Sequence, residues 1–333
     1  MIRIGPAGWS YRDWEGVVYP RPRPRGFDPL AFLAGYFDTI EINSTFYRPA
    51  AAEAATSWAA RVGANPRFRF AAKLWRRFTH ERDETFTTAD VAAARAALDP
   101  LHDGGRLGAV LLQFPWSFRR DDASRLWLDD VIGAFRDFPL ALEVRHESWN
   151  VPRFYEELAE RDVGFVNIDQ PRFRHSLGPT ATATSQVGYV RIHGRNYADW
   201  FRKDATGDER YDYLYTADEL QPWVDRARTV AKATAETYVV TNNHRLGKGI
   251  ANAVMLKAMV AGREVPAPPG VVEAYREVLA GFAEAPGEPA ISESSPRRAG
   301  PRSPAHLPGG GRGGARRRPA SARGSRGADR RPA

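Results

Sequence analysis

Eight short β-branched or aliphatic runs in this chain each end on side chains that can move protons, hold anions or stack on a ring. Trp9 and Tyr11 follow the first run. Glu41, Asn43 and Tyr47 lie in or after the second, Lys73 and then His80 after the third, and Gln113 closes the fourth. The fifth leads into Glu143, Arg145, His146 and Trp149, and the sixth ends on Asp169. The seventh carries Arg191 and His193, and the eighth ends in Asn242 and Asn243. Carboxylates and an imidazole of this kind (Glu41, Glu143, Asp169, His193) suit acid–base work. Lys73, Arg145 and Arg191 suit an anion, with arginine favoured for two-pronged geometry. Trp9, Tyr11 and Trp149 offer stacking faces. The plainer reading of the same residues is an ion network that satisfies itself inside the fold, because a buried charge needs a partner. Six of the nine tryptophans (Trp9, Trp14, Trp75, Trp116, Trp149, Trp200) fall just after these runs, where they line a site or pack over it.

The runs predicted as strands are 2–8, 37–43, 67–73, 107–114, 140–145, 164–169, 188–193 and 237–242. Helical patterns are predicted over 29–35, 51–62, 89–101, 122–135, 152–161, 217–235 and 247–261, with a closing helix within 266–282. The stretch 171–185 reads as loop. Alternating β and α units imply a parallel sheet. Eight units in about 260 residues imply a single (β/α)8 TIM-type barrel, whose site forms at the C-terminal strand ends. No G-x-G-x-x-G follows the first strand, which argues against a dinucleotide fold. The loop 194–215, rich in Tyr and Arg, is predicted to be a lid or substrate wall. In the last loop Gly247, Lys248 and Gly249 precede a helix, a pattern that suits a bound anion or simply a turn.

The formal net charge of +8 belongs to the end of the chain. Residues 285–333 hold eleven arginines against Glu288, Glu293 and Asp329, a net +8, so the rest is neutral. That segment is Pro-, Gly- and Arg-rich and too poor in large apolar residues to bury a core, so a disordered tail is expected. The domain reading is a barrel over 1–284 and a tail over 285–333. With no cysteine, disulfides, thiolate zinc and cysteine nucleophiles are excluded. His146, Asp169, His193 and His244 with Glu143 could supply metal ligands. No H-E-x-x-H is present, and neighbouring Arg and Lys compete for the carboxylates, so neither a metal nor a cofactor is expected. No signal segment or membrane span is visible, and a cytoplasmic location is expected.

The motifs GWSYRDW (Gly8–Trp14), EINSTFY (Glu41–Tyr47), FRFAAK (Phe68–Lys73), Thr79-His80, LGAVLLQFP (Leu107–Pro115), LEVRHESW (Leu142–Trp149), YVRIHGR (Tyr189–Arg195) and Thr241-Asn242-Asn243 with Ala251-Asn252 occur in this order. Together they resemble the YecE-like family, the domain of unknown function numbered 72, over residues 1 to about 262. Thr241 stands where the familiar form has an aromatic. The resemblance implies a β/α barrel and no established activity. Its barrel is similar to those of xylose isomerases and apurinic endonucleases, which is fold analogy. The family's recurrent positions, Phe46 among them, coincide with the strand-end residues chosen above. The expected function is an enzyme acting on a phosphate-bearing or polyhydroxylated small molecule at the C-terminal face. Alternatives are a nucleic-acid-binding barrel without catalysis and a metal-dependent phosphodiesterase or sugar isomerase.

Overall fold

The computed structural model describes residues 1–285 except Phe201, Lys203, Ala205 and Thr206. The expected disordered tail, residues 285–333, lies outside the described residues apart from Ala285. Eight parallel strands form one sheet: β1 (Ile2–Pro6), β2 (Thr39–Ile42), β3 (Arg69–Lys73), β4 (Leu107–Gln113), β5 (Leu140–Glu143), β6 (Gly164–Asp169), β7 (Val187–Ile192) and β8 (Glu236–Thr241). Their order is β1-β8-β7-β6-β5-β4-β3-β2. A parallel bridge from Ala7 to Glu41 joins β1 to β2, with the Gly8 amide donating to the Glu41 carbonyl at 2.8 Å, so the sheet closes into a barrel. Each strand lies within two residues of its sequence expectation at the start and at the end. The strands are buried on both faces, which is why they read as aliphatic runs rather than as alternation.

Local chemistry starts the helices where the pattern places them. Asp28 caps Pro29–Ala34, accepting from the Leu30 amide at 2.9 Å. Thr87 and Thr216 form capping boxes with Asp90 and Glu219 ahead of Thr88–Asp103 and Ala217–Ala231. The sixth crossover has no helix, as its sequence suggests. Asn167 instead accepts from the Thr180 hydroxyl at 2.7 Å and the Thr182 amide at 2.8 Å, tying the extended segment to β6. The expected closing helix is two short ones, Pro269–Ala274 and Arg276–Leu279, because Tyr275 between them leaves helical geometry (φ −121°, ψ 33°). The Tyr275 hydroxyl there bonds the Leu246 carbonyl at 2.6 Å.

Side chains two apart on a strand share a face. Tyr189, Arg191 and His193 therefore point together along β7 into the barrel, joined by Tyr238 of β8. Gly108 makes room for Tyr238: a Cβ at this position would collide with the tyrosine hydroxyl. Gly108→Ala is expected to cost about 1–3 kcal/mol in urea unfolding through overpacking. Adding Tyr238→Phe should recover part of that loss. If Gly108→Ala alone leaves the unfolding midpoint unchanged, this packing argument is wrong.

Candidate active site

The upper barrel holds a tightly partnered ion network. Glu41 and Glu143 are 0% exposed and Arg191 is 2% exposed. Arg191 donates to Glu41 through Nε (2.9 Å) and Nη2 (2.6 Å), and to Glu143 through Nη1 (2.9 Å). The Tyr189 hydroxyl adds a bond to Glu41 at 2.8 Å. Arg145 Nε donates to the other Glu143 oxygen at 2.8 Å, and His193 Nε2 lies 3.2 Å from that oxygen. Asn242 approaches His193 Nδ1 at 3.2 Å, which fits an imidazole that carries its proton on Nε2. Burial pushes the Glu143 pKa up, but Arg191, Arg145 and His193 overbalance it and hold the carboxyl well below its usual range. Burial drives the His193 pKa down to about 3, so this ring is neutral at pH 7.

Beside this network, a cleft of about 320 Å³ opens at the C-terminal ends of β1, β2, β3 and β8. Of the residues chosen from sequence, Trp9, Tyr11, Asn43, Tyr47, Lys73, Arg191 and Asn242 line it. Trp9 packs edge-on against Trp58 (centroids 5.7 Å apart), and Tyr11 stacks on His244 at 4.3 Å. Lys73 comes in at the end of β3 and sets its Nζ 3.7 Å from the centre of the Phe46 ring. Among the described residues, this nitrogen has no hydrogen-bond or ion-pair partner. Burial first, then the charge of Arg191, lowers the Lys73 pKa to about 7. His80 packs edge-on against Phe46, its Nδ1 2.8 Å from the Thr79 hydroxyl, and burial lowers its pKa to about 3.

Other chosen residues lie elsewhere. Trp149 is buried in the core, stacked on Phe118 and bonded through its indole N–H to the Phe118 carbonyl at 2.8 Å. It does not line the cleft, since the short helix Glu147–Trp149 turns it inward. His146 caps that helix, accepting from the Ser148 amide at 3.1 Å. Gln113 donates to the Phe114 carbonyl at 2.8 Å. Asn243 donates to the Tyr213 carbonyl and to Asn252, both at 2.8 Å, fastening the loop after β7 to helix Lys248–Ala261. Asp169 pairs with Arg195 at 2.9 Å at a separate cavity, and burial raises its pKa. Of the candidate metal ligands, Glu143 and His193 lie together, 3.2 Å apart, while His146 and Asp169 are engaged elsewhere. Among the described residues no group of three or more His, Asp or Glu is placed to hold a metal ion.

Tyr211 and His244 also line the cleft, although the sequence marked the first only as part of the aromatic loop and the second only as a possible metal ligand. Tyr211 comes from the long loop after β7, whose aromatic content was the available signal. Trp200 of the same loop lies over Arg145, 5.6 Å from its guanidinium carbon, and covers the ion network.

Residues 3–273 match the family model described as "Protein of unknown function DUF72". The chain belongs to this family. A DUF72 protein of Thermotoga maritima shares the fold at 31% identity with a TM-score of 0.68, over 78% of this chain and 99% of that one. A second, from Enterococcus faecalis, aligns at 22% identity and a TM-score of 0.67, over 78% of this chain and 96% of that one. By sequence, the Bacillus subtilis protein UPF0759 YunF is 29% identical over 269 residues, 76% of this chain and 92% of its own length. Escherichia coli UPF0759 YecE is 27% identical over 190 residues, 55% of this chain and 64% of its own. The DUF72 match runs through all eight strands and so takes in every residue of the cleft. Among the described residues, no helix is long and apolar enough to cross a membrane.

Proposed function

We propose that this DUF72 barrel is an enzyme that takes a phosphate-bearing or polyhydroxylated small molecule in the cleft beside Lys73. The observation that carries this reading is the contrast between the two sets of charges. Every carboxylate oxygen of Glu41 and Glu143 is engaged by Arg191, Arg145, His193 or Tyr189. Lys73, at the cleft wall, has no hydrogen-bonded acid among the described residues. A lysine at a cavity wall with no acid hydrogen-bonded to it is an arrangement that an anionic or oxygen-rich ligand completes. Asn43 and Asn242 supply amides beside it, and Trp9 and Tyr11 supply apolar ring faces, the mixture a small-molecule site needs. On this reading Glu41 and Glu143 act through Arg191, fixing its guanidinium at the cleft floor, rather than by touching the ligand.

The test is calorimetric titration of the full-length protein with ribose 5-phosphate, ribose and inorganic phosphate. Binding by at least one of these is expected, and Lys73→Met should weaken it about tenfold or more. Lys73→Met should also raise stability at neutral pH, because it removes a group whose charged form is disfavoured on folding. If none of the three compounds binds, or if Lys73→Met binds as well as the parent, the reading falls. Oligonucleotide binding that weakens steeply with salt, in place of sugar-phosphate binding, would favour a nucleic-acid partner instead.

A further inference from the structure

We propose that Lys73 is an imine-forming lysine, its Nζ adding to the carbonyl carbon of a small phosphorylated or polyhydroxylated aldehyde or ketone held in the cleft. The proposal rests on the reading of the cleft as a ligand site and goes further by naming the reactive group of the ligand. Three features of the site point to it.

A lysine that serves only to neutralise Glu41 or Glu143 would hydrogen-bond one of them. Here Arg191 takes both Glu41 oxygens and one Glu143 oxygen, and Arg145 takes the other. The amine is left turned to a ring face, with Nζ 3.7 Å from the Phe46 centroid. The surroundings also favour the free amine, which is the nucleophilic form. Burial and the nearby Arg191 bring its pKa down to about 7, so a large fraction is uncharged at neutral pH. Finally, Lys73 ends a barrel strand rather than sitting on a loop, which fixes its stem, and it opens on a cleft of about 320 Å³.

The step balances without any other reagent. The Nζ lone pair forms the C–N bond while the carbonyl π pair moves onto oxygen. The two Nζ hydrogens pass to that oxygen, the C–O bond breaks, and water leaves a C=N bond.

The chain has five lysines, Lys73, Lys203, Lys232, Lys248 and Lys257, so a modified site can be assigned unambiguously by peptide mapping. The full-length protein is incubated with dihydroxyacetone phosphate, and separately with pyridoxal 5′-phosphate, in the presence of sodium cyanoborohydride. This reagent delivers hydride to C=N and leaves a secondary amine of known added mass. Labelling of Lys73 is expected to outpace that of every other lysine by about tenfold or more at pH 7, because an ordinary lysine is almost wholly protonated there. Its rate should be half-maximal near pH 7. Lys73→Arg should still bind dihydroxyacetone phosphate by calorimetry but give no preferred labelled site. Labelling spread without preference over the lysines, or Lys73 reacting only at the alkaline pH of a free lysine, overturns the proposal. If dihydroxyacetone phosphate binds but no adduct is trapped at Lys73, the imine falls and the anion-binding role stands. If it neither binds nor is trapped, the proposal falls together with the phosphate side of the cleft reading.

Discussion

Arg191→Leu is expected to destabilise the protein by about 3–5 kcal/mol, enough to remove much of the stability of an ordinary domain. The loss does not come from the apolar contacts of the arginine. It comes from two carboxylates, Glu41 and Glu143, left in a barrel interior where both are 0% exposed. Arg191→Lys should rescue little, because one ammonium cannot reproduce the fork that spans both acids with three nitrogens. A triple replacement, Arg191→Met with Glu41→Leu and Glu143→Met, should recover part of the loss, since it removes the stranded carboxylates together with the arginine but leaves Arg145 without its acid. Urea unfolding of the three variants decides the matter. An Arg191→Leu protein as stable as the parent would mean that water reaches these carboxylates, and that the network is not the core of the barrel mouth.

Acid should unfold this protein steadily, beginning well above the pH at which carboxylates titrate. Burial holds the pKa of His193, and also that of His80, down at about 3 in the fold. In the unfolded chain, each titrates near about 6.5. Below that value the unfolded state takes up protons that the folded state refuses, so stability falls as pH drops from about 6.5 towards 3. The limiting slope is about 1.4 kcal/mol per pH unit for each histidine, and less for His80, which is partly exposed to solvent. Glu143 acts in the same direction: its folded pKa is depressed, so its contribution is present above about 4.3 and is lost as pH falls towards the folded value. The unfolding midpoint in urea should therefore decline continuously between pH 7 and pH 4, and His193→Gln should flatten that decline by up to one proton's worth. A midpoint constant from pH 7 to pH 4.5 would show that His193 is solvated and readily protonated, contrary to its place against Glu143.

The sequence by itself determined the barrel, because strands buried on both faces must be aliphatic runs and the crossovers between them must carry an apolar stripe. Both are local patterns that need no knowledge of contacts. It also marked the end of the barrel where chemistry collects, since polar and aromatic residues follow the runs at all eight strand ends. The family motifs fell on these same positions. What it could not divide was the set itself. Glu143 and Lys73 look alike in sequence, each an ionisable residue near the end of a strand. Yet Glu143 is sealed beneath Arg191, Arg145 and His193, while Lys73 faces the cleft. Trp9 and Trp149 both follow strands, yet one lines the cleft and the other lies in the core on Phe118. Tyr211, from a loop more than a hundred residues away in sequence from Lys73, completes the same wall. These differences are set by distances across the barrel mouth, between side chains of strands far apart in the chain. Partnering of a charge depends on which of several equally suitable arginines arrives within about 3 Å, and only the tertiary structure decides that.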